Sequence, residues 1–449
     1  MLIIDRESQE QIYHQLYRQI RAEIETGIRQ PGQAVASTRF LAQTLAVSRN
    51  TVDHAYQDLV AEGYLISKPG AGYHVVQQLP SLTATVTPLT PISQPRFEFD
   101  FTEDYDHLQL FPKNAWQTAE QAVMFSGLSH IQPANGDPKY RQQLTHYLAR
   151  LKGIHANANQ IVVTSGFNEA AGIIANLIPD LATSQLAIAE PIAPNAREVW
   201  SRLGVTTINF QDFTSLPSAL GYVLAPTHNF PDGQGLSRQQ RQQLAAQLNA
   251  HQRYLIELDT DGTLTYDGQP APAIHHYLRG QRSFYYTNYD DTLGSALCMG
   301  ILVLPVELIP RYQAQYGQLP NRNSQWQQLI LSRLIANDAL ERHIRQLTIV
   351  YHNRRQLLQQ TCATYFGDQV QLIDAAAGTF VVLQLQTNQS IADLIDQAAQ
   401  AGIGLVNPDR CWHDNRPHHQ QVVLSFRQVT DDQLVAGIQK LATVWQLTT

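Results

Sequence analysis

Ala46-Val47-Ser48-Arg49-Asn50-Thr51-Val52 decides how the amino-terminal part of the chain folds. Ala46-Val47 makes a tight connection, and Ser48 has the short hydroxyl side chain that caps a helix start. The helix it opens carries Val52, Ala55, Tyr56, Leu59 and Val60 on one face and stops at Gly63. Upstream, Ser37 or Thr38 caps a shorter helix with Phe40, Leu41 and Leu45. Before that, Ile12, Leu16, Ile20 and Ile24 form one helical stripe, ended by Gly27 and Pro31-Gly32. Downstream, Leu65-Ile66 and Tyr73-His74-Val75-Val76 read as two strands joined through Lys68-Pro69-Gly70-Ala71-Gly72. Three helices followed by a glycine-tipped hairpin predict a winged helix-turn-helix over residues 1–76.

Ser48-Arg49-Asn50-Thr51 puts hydrogen-bonding side chains and one cation at the start of the third helix. A recognition helix meets base edges and phosphate at that end. Gly70 and Gly72 allow close approach of the wing tip to a DNA backbone, and Lys68 adds charge there. The runs Gln33 to Ala42, Val47 to Val52, Glu62-Gly63-Tyr64-Leu65 and Pro69 to Gly72 closely resemble the GntR family of bacterial regulators. The resemblance implies that Ser37, Arg39, Arg49, Asn50, Thr51 and the wing glycines lie against an operator in double-stranded DNA. Thr38 and Ser48 are counted with the same face.

Residues 77–96, rich in Pro, Thr and Ser, read as an interdomain linker. From Phe97 to the end, strands and helices alternate. Ile161 to Thr164, Leu186 to Ala189, Tyr222 to Ala225, Tyr254 to Leu258 and Ser283 to Tyr286 are short apolar strands. Such a pattern predicts a mostly parallel α/β sheet covered on both faces, with its ligand crevice at the strands' carboxyl ends. Arg333 to Gln359 reads as one long helix. Thr379 to Leu383 and Val422 to Phe426 suit a smaller α+β lobe, which places the large lobe at about 97–330 and the small lobe at about 331–449.

The 449 residues suffice for two or three domains, and 43% hydrophobic with 15% charged content suits a folded chain. A net charge of −7 requires any DNA contact to be local. The opening Met-Leu-Ile-Ile-Asp-Arg shows no signal-peptide pattern, and there is no apolar run long enough to span a membrane. A cytoplasmic protein is expected. The cysteines Cys298, Cys362 and Cys411 suit neither a disulfide framework nor a metal site.

Leu110-Phe111-Pro112, Gly136-Asp137-Pro138, Glu190-Pro191, His228 to Gly233, Tyr266-Asp267-Gly268, Thr292-Leu293 and Met299-Gly300 resemble, in order and spacing, the fold type I aminotransferase domain. Joined to a GntR head, they look like the MocR subfamily. The resemblance implies a homodimer and a crevice for pyridoxal phosphate, which needs a Schiff-base lysine, a pyridinium aspartate, a tyrosine, a stacking aromatic ring and phosphate donors. Gap-free matching puts Asp291 at the lysine, Asp290 at the phosphate serine and Cys298 at the phosphate arginine. Leu258 falls at the pyridinium partner, Thr260 at the tyrosine and Ala193 at the stacking ring. A slip of one residue would bring Asp259 to the pyridinium, but it would also turn the side chain to the other face of the strand. No lysine occurs between 153 and 439. These substitutions predict no cofactor and no catalytic residue. Phe167, His228 and Asn229 complete the expected pocket, open to a small-molecule effector, a cation or an amine. A regulator that holds the cofactor noncovalently, or a working aminotransferase, is the alternative. His418-His419 reads as a surface pair.

Overall fold

The computed structural model describes residues 2, 4–6, 8, 10–77, 97–102, 110–125, 131–260, 262–266, 271–373, 377–413 and 420–447. Residues 78–96 of the expected linker, Asp261, Asp267-Gly268 and His418-His419 lie outside them. The chain divides into two compact units, Met1–Gln94 and Pro95–Thr449.

In the first unit, α1 (Ile12–Glu25), α2 (Thr38–Leu45) and α3 (Arg49–Ala61) precede the antiparallel hairpin β1 (Leu65–Lys68) and β2 (Gly72–Val75). Leu16, Ile20, Val52, Ala55, Leu59 and Val75 meet in its core. Val52 and Leu59 are fully buried, and each such side chain contributes about 1.5–3 kcal/mol. The turn between α2 and α3 is made by Ala46 in the left-handed region, at φ 51°. Two side chains differ from expectation. Phe40, read as core, is exposed on α2, whereas Thr38 is buried. Helical spacing sets Thr38 on the inward side with Leu41 and Ala42.

The second unit is built on a seven-stranded sheet. Its strands are β4 (Ile161–Thr164), β5 (Gln185–Ala189), β6 (Thr206–Phe210), β7 (Gly221–Leu224), β8 (Tyr254–Leu258), β9 (Ser283–Asn288) and β10 (Gly300–Val303), a short β3 (Phe99–Asp100) lying outside it. The order is β4-β10-β9-β8-β7-β5-β6, parallel except for β10, which runs antiparallel to both neighbours. Alternation along the strands sends apolar side chains to both faces. Val162, Ile188, Val223, Ile256 and Phe284 pack with helices Phe167–Leu177 and Pro194–Arg202 on one face. On the other face, Ile161, Val163, Tyr285 and Ile301 pack with Pro138–Lys152 and Gln325–Ala336. Both faces are covered, so the strands are apolar throughout.

The single helix expected over 333–359 is two, Gln325–Ala336 and Ala339–Phe366. Asp338 sits in the left-handed region at φ 56°, and the Asn337 side chain accepts the amide of Ala339 at 3.1 Å. Asn and Asp tolerate that backbone and compete locally for helix hydrogen bonds. The second helix packs beside the small sheet β11 (Val370–Ile373), β12 (Phe380–Leu385) and β14 (Gln421–Ser425), while β13 (Ile403–Gly404) pairs with β3. Among the described residues no helix is long and apolar enough to cross a membrane.

Candidate functional site

In the first unit, the candidate face is the exposed start of α3 with the tip of the hairpin. The Ser48 hydroxyl accepts the Thr51 amide at 3.1 Å and contacts the Thr51 hydroxyl at 2.7 Å. Both polar side chains are thereby partly committed to holding the helix start. Arg49 and Asn50 are exposed, and the Arg49 guanidinium lies 3.5 Å from the Asp53 carboxylate one turn on. Ser37 caps α2 by accepting the Phe40 amide at 3.2 Å, and Arg39 beside it is exposed. Thr38, being buried, has no side chain to offer a groove. Lys68 is exposed at the wing. Gly70 and Gly72 have φ of 77° and 81°, with open space where a Cβ would stand. Arg6, which the sequence gave no reason to select, donates to the Ala46 carbonyl at 2.9 Å and so braces the turn.

In the second unit, the carboxyl ends of β5, β7, β8 and β9 open into a cavity of about 940 Å³. All nine residues expected there line it: Phe167, Ala193, His228, Asn229, Leu258, Thr260, Asp290, Asp291 and Cys298. Asp259 does not. Its carboxylate is buried behind the strand, 2.9 Å from the Lys152 ammonium, and accepts the Tyr285 hydroxyl at 2.6 Å. Burial pushes this carboxyl up, but Lys152 and Tyr285 outweigh burial and hold it below its ordinary range. Leu258 and Thr260 thus face the cavity while Asp259 faces away, as a two-residue period requires.

The floor is made where β9 runs into Asp290–Leu293. Asn288 donates to the Asp290 carboxylate at 2.6 Å. Arg427, which follows β14 in the small lobe, reaches across with one nitrogen 3.4 Å from the Asp291 carboxylate and another donating to the Asp290 carbonyl. Nothing local in the sequence marked Arg427, which is 136 residues from Asp291. The Asn229 amide donates to the Pro191 carbonyl at 2.9 Å and to Asp232 at 3.0 Å, and so ties two loops together. His228 is buried with its ring 4.2 Å from that of Phe380, and among the described residues neither ring nitrogen has a hydrogen-bond partner. Burial, assisted by the charge of Arg355, lowers its pKa to about 3. It fits only because residue 378 is glycine: a Cβ there would stand 2.0 Å from the imidazole Nδ1. Cys298 is exposed, with φ 47°.

No lysine lines this cavity among the described residues. Lys113 and Lys139 are exposed, Lys152 is paired with Asp259, and Lys440 lies 2.7 Å from the Glu98 carboxylate. At the start of helix Phe167–Leu177 the Ser165 amide and hydroxyl are engaged by the Glu169 carboxylate, at 2.6 and 2.8 Å. Helix-start donors of this kind otherwise suit an anion. One of the chain's own carboxylates holds them here.

The model of the "Bacterial regulatory proteins, gntR family" matches residues 12–75, and that of "Aminotransferase class I and II" matches 102–258. The uncharacterized HTH-type transcriptional regulator YhdI of Bacillus subtilis is 26% identical over 98% of this chain and 97% of its own. The probable rhizopine catabolism regulatory protein MocR of Rhizobium meliloti is 24% identical over 99% and 96%. The HTH-type pyridoxine biosynthesis transcriptional regulator PdxR of Corynebacterium glutamicum is 26% identical over 89% and 88%. Among solved structures, Pyrococcus horikoshii kynurenine aminotransferase superposes with a TM-score of 0.70 at 17% identity, over 79% of this chain and 91% of that one. The chain thus carries a segment that matches the GntR family followed by one that matches the aminotransferase class I and II family, the two-part order expected from the sequence.

Proposed function

We propose that the chain is a transcriptional regulator that binds duplex DNA through α3 and the wing. Its second domain joins two copies and senses a small molecule, and it performs no transamination. The observation that carries this reading is the contrast between its two sites. Arg49 and Asn50 stand exposed on a capped helix start, while the crevice has carboxylates on its floor and no lysine. Pyridoxal phosphate does not fit those residues. A Schiff base has no amine to form on, Leu258 offers the pyridinium nitrogen no charge, and Asp290 and Asp291 oppose a phosphate dianion. The naming of full-length relatives as transcriptional regulators supports the same reading. A two-fold dimer suits paired half-sites on DNA.

The test is selection of bound DNA from a random pool by the full chain. A recurrent motif with two related half-sites is expected. Recovery of unselected sequence alone would refute sequence-specific binding, and recovery of a single half-site by a monomer would refute the dimer.

A further inference from the structure

The stretch before α1 is clasped to the first unit. Leu2 and Ile4 pack against the core around Leu16 and Ile20. Gln15, on α1 and only 3% exposed, turns its amide toward this stretch. Its Nε2 donates to the carbonyls of Asp5 at 2.9 Å and Glu10 at 2.8 Å, and its Oε1 accepts the Asp5 amide at 3.0 Å. A buried amide needs partners, and these three bonds all hold the segment that carries Arg6. The clasp leaves Arg6 at the turn between α2 and α3. There one guanidinium nitrogen donates to the Ala46 carbonyl at 2.9 Å, two residues before the Ser48 cap. The side chain is exposed, and its other N–H groups make no hydrogen bond among the described residues.

The ordinary role of an arginine at that place is to bond the last carbonyls of α2. The charges of the unit point to a second role. Residues 1–77 contain seven Lys or Arg and eight Asp or Glu, so this unit has no excess of cations to draw on. Arg18, Arg21, Arg29 and Arg49 each lie within 3.5 Å of a carboxylate. Among the described residues, Arg6, Arg39 and Lys68 are the cations with no carboxylate partner. Affinity for duplex DNA comes largely from cations on phosphates. One of the three unpaired cations therefore stands beside the start of α3, brought there by the fold and not by the helix-turn-helix sequence itself.

We propose that Arg6 is a phosphate contact, and that the segment before α1 is an arm that presents it to the DNA backbone next to the recognition helix. One edge of the guanidinium stays on the Ala46 carbonyl, and the other donates to a phosphate oxygen. A planar group with five N–H donors can serve both acceptors at once. This assignment rests on the reading that α3 and the wing bind duplex DNA, and it adds a contact from outside both.

The test is fluorescence anisotropy of the full-length chain on its selected operator and on a scrambled duplex, across a series of salt concentrations. Arg6→Ala is expected to weaken both DNAs by the same factor, roughly fivefold at low salt, and to lower the slope of log affinity against log salt by about one. Arg6→Gln still offers Ala46 a donor but carries no charge, and it should lose the same slope. Arg6→Lys keeps the charge and should keep the slope. A role in bracing the turn alone predicts the opposite for the glutamine variant, and melting curves report whether each variant is folded. A wild-type slope in folded Arg6→Gln, a lowered slope in Arg6→Lys, or a change confined to preference at one base pair would overturn the proposal. Wild-type chain that binds neither duplex would overturn the DNA-binding reading together with it, whereas operator binding with an unchanged slope in Arg6→Gln would overturn only the role of Arg6.

Discussion

Replacing Arg49 by Ala tests the recognition helix with little risk to the fold. The Arg49 side chain is 66% exposed, and its ion pair with Asp53 is 3.5 Å long on the same helix. An exposed pair of this kind is worth about 0.3–0.5 kcal/mol. The Ser48 cap is untouched, so stability is expected to change by no more than about 0.5 kcal/mol. On DNA, an arginine base contact contributes about 1–3 kcal/mol. Giving up the Asp53 pair offsets the lower part of that gain. The net loss in Arg49→Ala is therefore about 0.5–2.5 kcal/mol, or roughly twofold to seventyfold in affinity. Asp53→Ala has the opposite sign: it frees Arg49 and removes a like charge from the phosphate side, tightening binding by about twofold. Fluorescence anisotropy on the selected operator and on scrambled DNA, at two salt concentrations, reads all of this. A base contact relaxes preference at one position, whereas a phosphate contact lowers the salt slope by about one. Unchanged operator affinity in Arg49→Ala at both salts, with Asp53→Ala also silent, would refute the placement of this helix start in the groove.

Lys152→Met is expected to destabilise the second domain by about 3–5 kcal/mol in denaturant titrations, because it strands the buried Asp259 carboxylate. Adding Asp259→Leu and Tyr285→Phe should recover most of that loss. Gly378→Ala forces a Cβ into the His228 ring at φ 76° and should lower stability by at least about 1 kcal/mol, read by the same titration. Burial lifts Glu257 to about 7 against two amide donors, His275 and Ile274. Its folded pKa lies above the unfolded value of about 4.5, so its contribution is full below 4.5 and is lost as pH rises to 7. Glu257→Gln should thus gain on wild type by up to about 1.4 kcal/mol per pH unit across that window. His228, lowered to about 3, behaves oppositely: wild type loses stability as pH falls below about 6.5, and His228→Phe should be spared that part of the loss. Melting curves between pH 4 and 7.5 check both signs.

The sequence made the helix-turn-helix legible because its core positions, Val52, Ala55, Tyr56 and Leu59, repeat within one short helix. The strands of the second domain were legible because burial on both faces leaves continuous apolar runs such as Ile161 to Thr164. The nine crevice residues could be named because the resemblance supplied their register. Tertiary choices were not legible. Nothing local ranks Phe40 against Thr38 for the single inward place on α2. The Asn337-Asp338 break interrupts a pattern that is apolar-periodic on both sides. Arg427 meets Asp291, and Lys152 meets Asp259, only because elements far apart in sequence meet in the fold: the segment after β14 with the turn after β9, and the end of helix Pro138–Lys152 with the end of β8.

The proposed loss of pyridoxal phosphate from the crevice is open to one direct measurement. The purified full-length chain is incubated with pyridoxal phosphate, reduced with borohydride, and examined by intact-mass and peptide mass spectrometry. With no lysine from 153 to 439, the mass of the second domain is expected to stay unmodified apart from substoichiometric labelling of exposed lysines. One stoichiometric phosphopyridoxyl adduct on a residue facing the crevice would contradict the account.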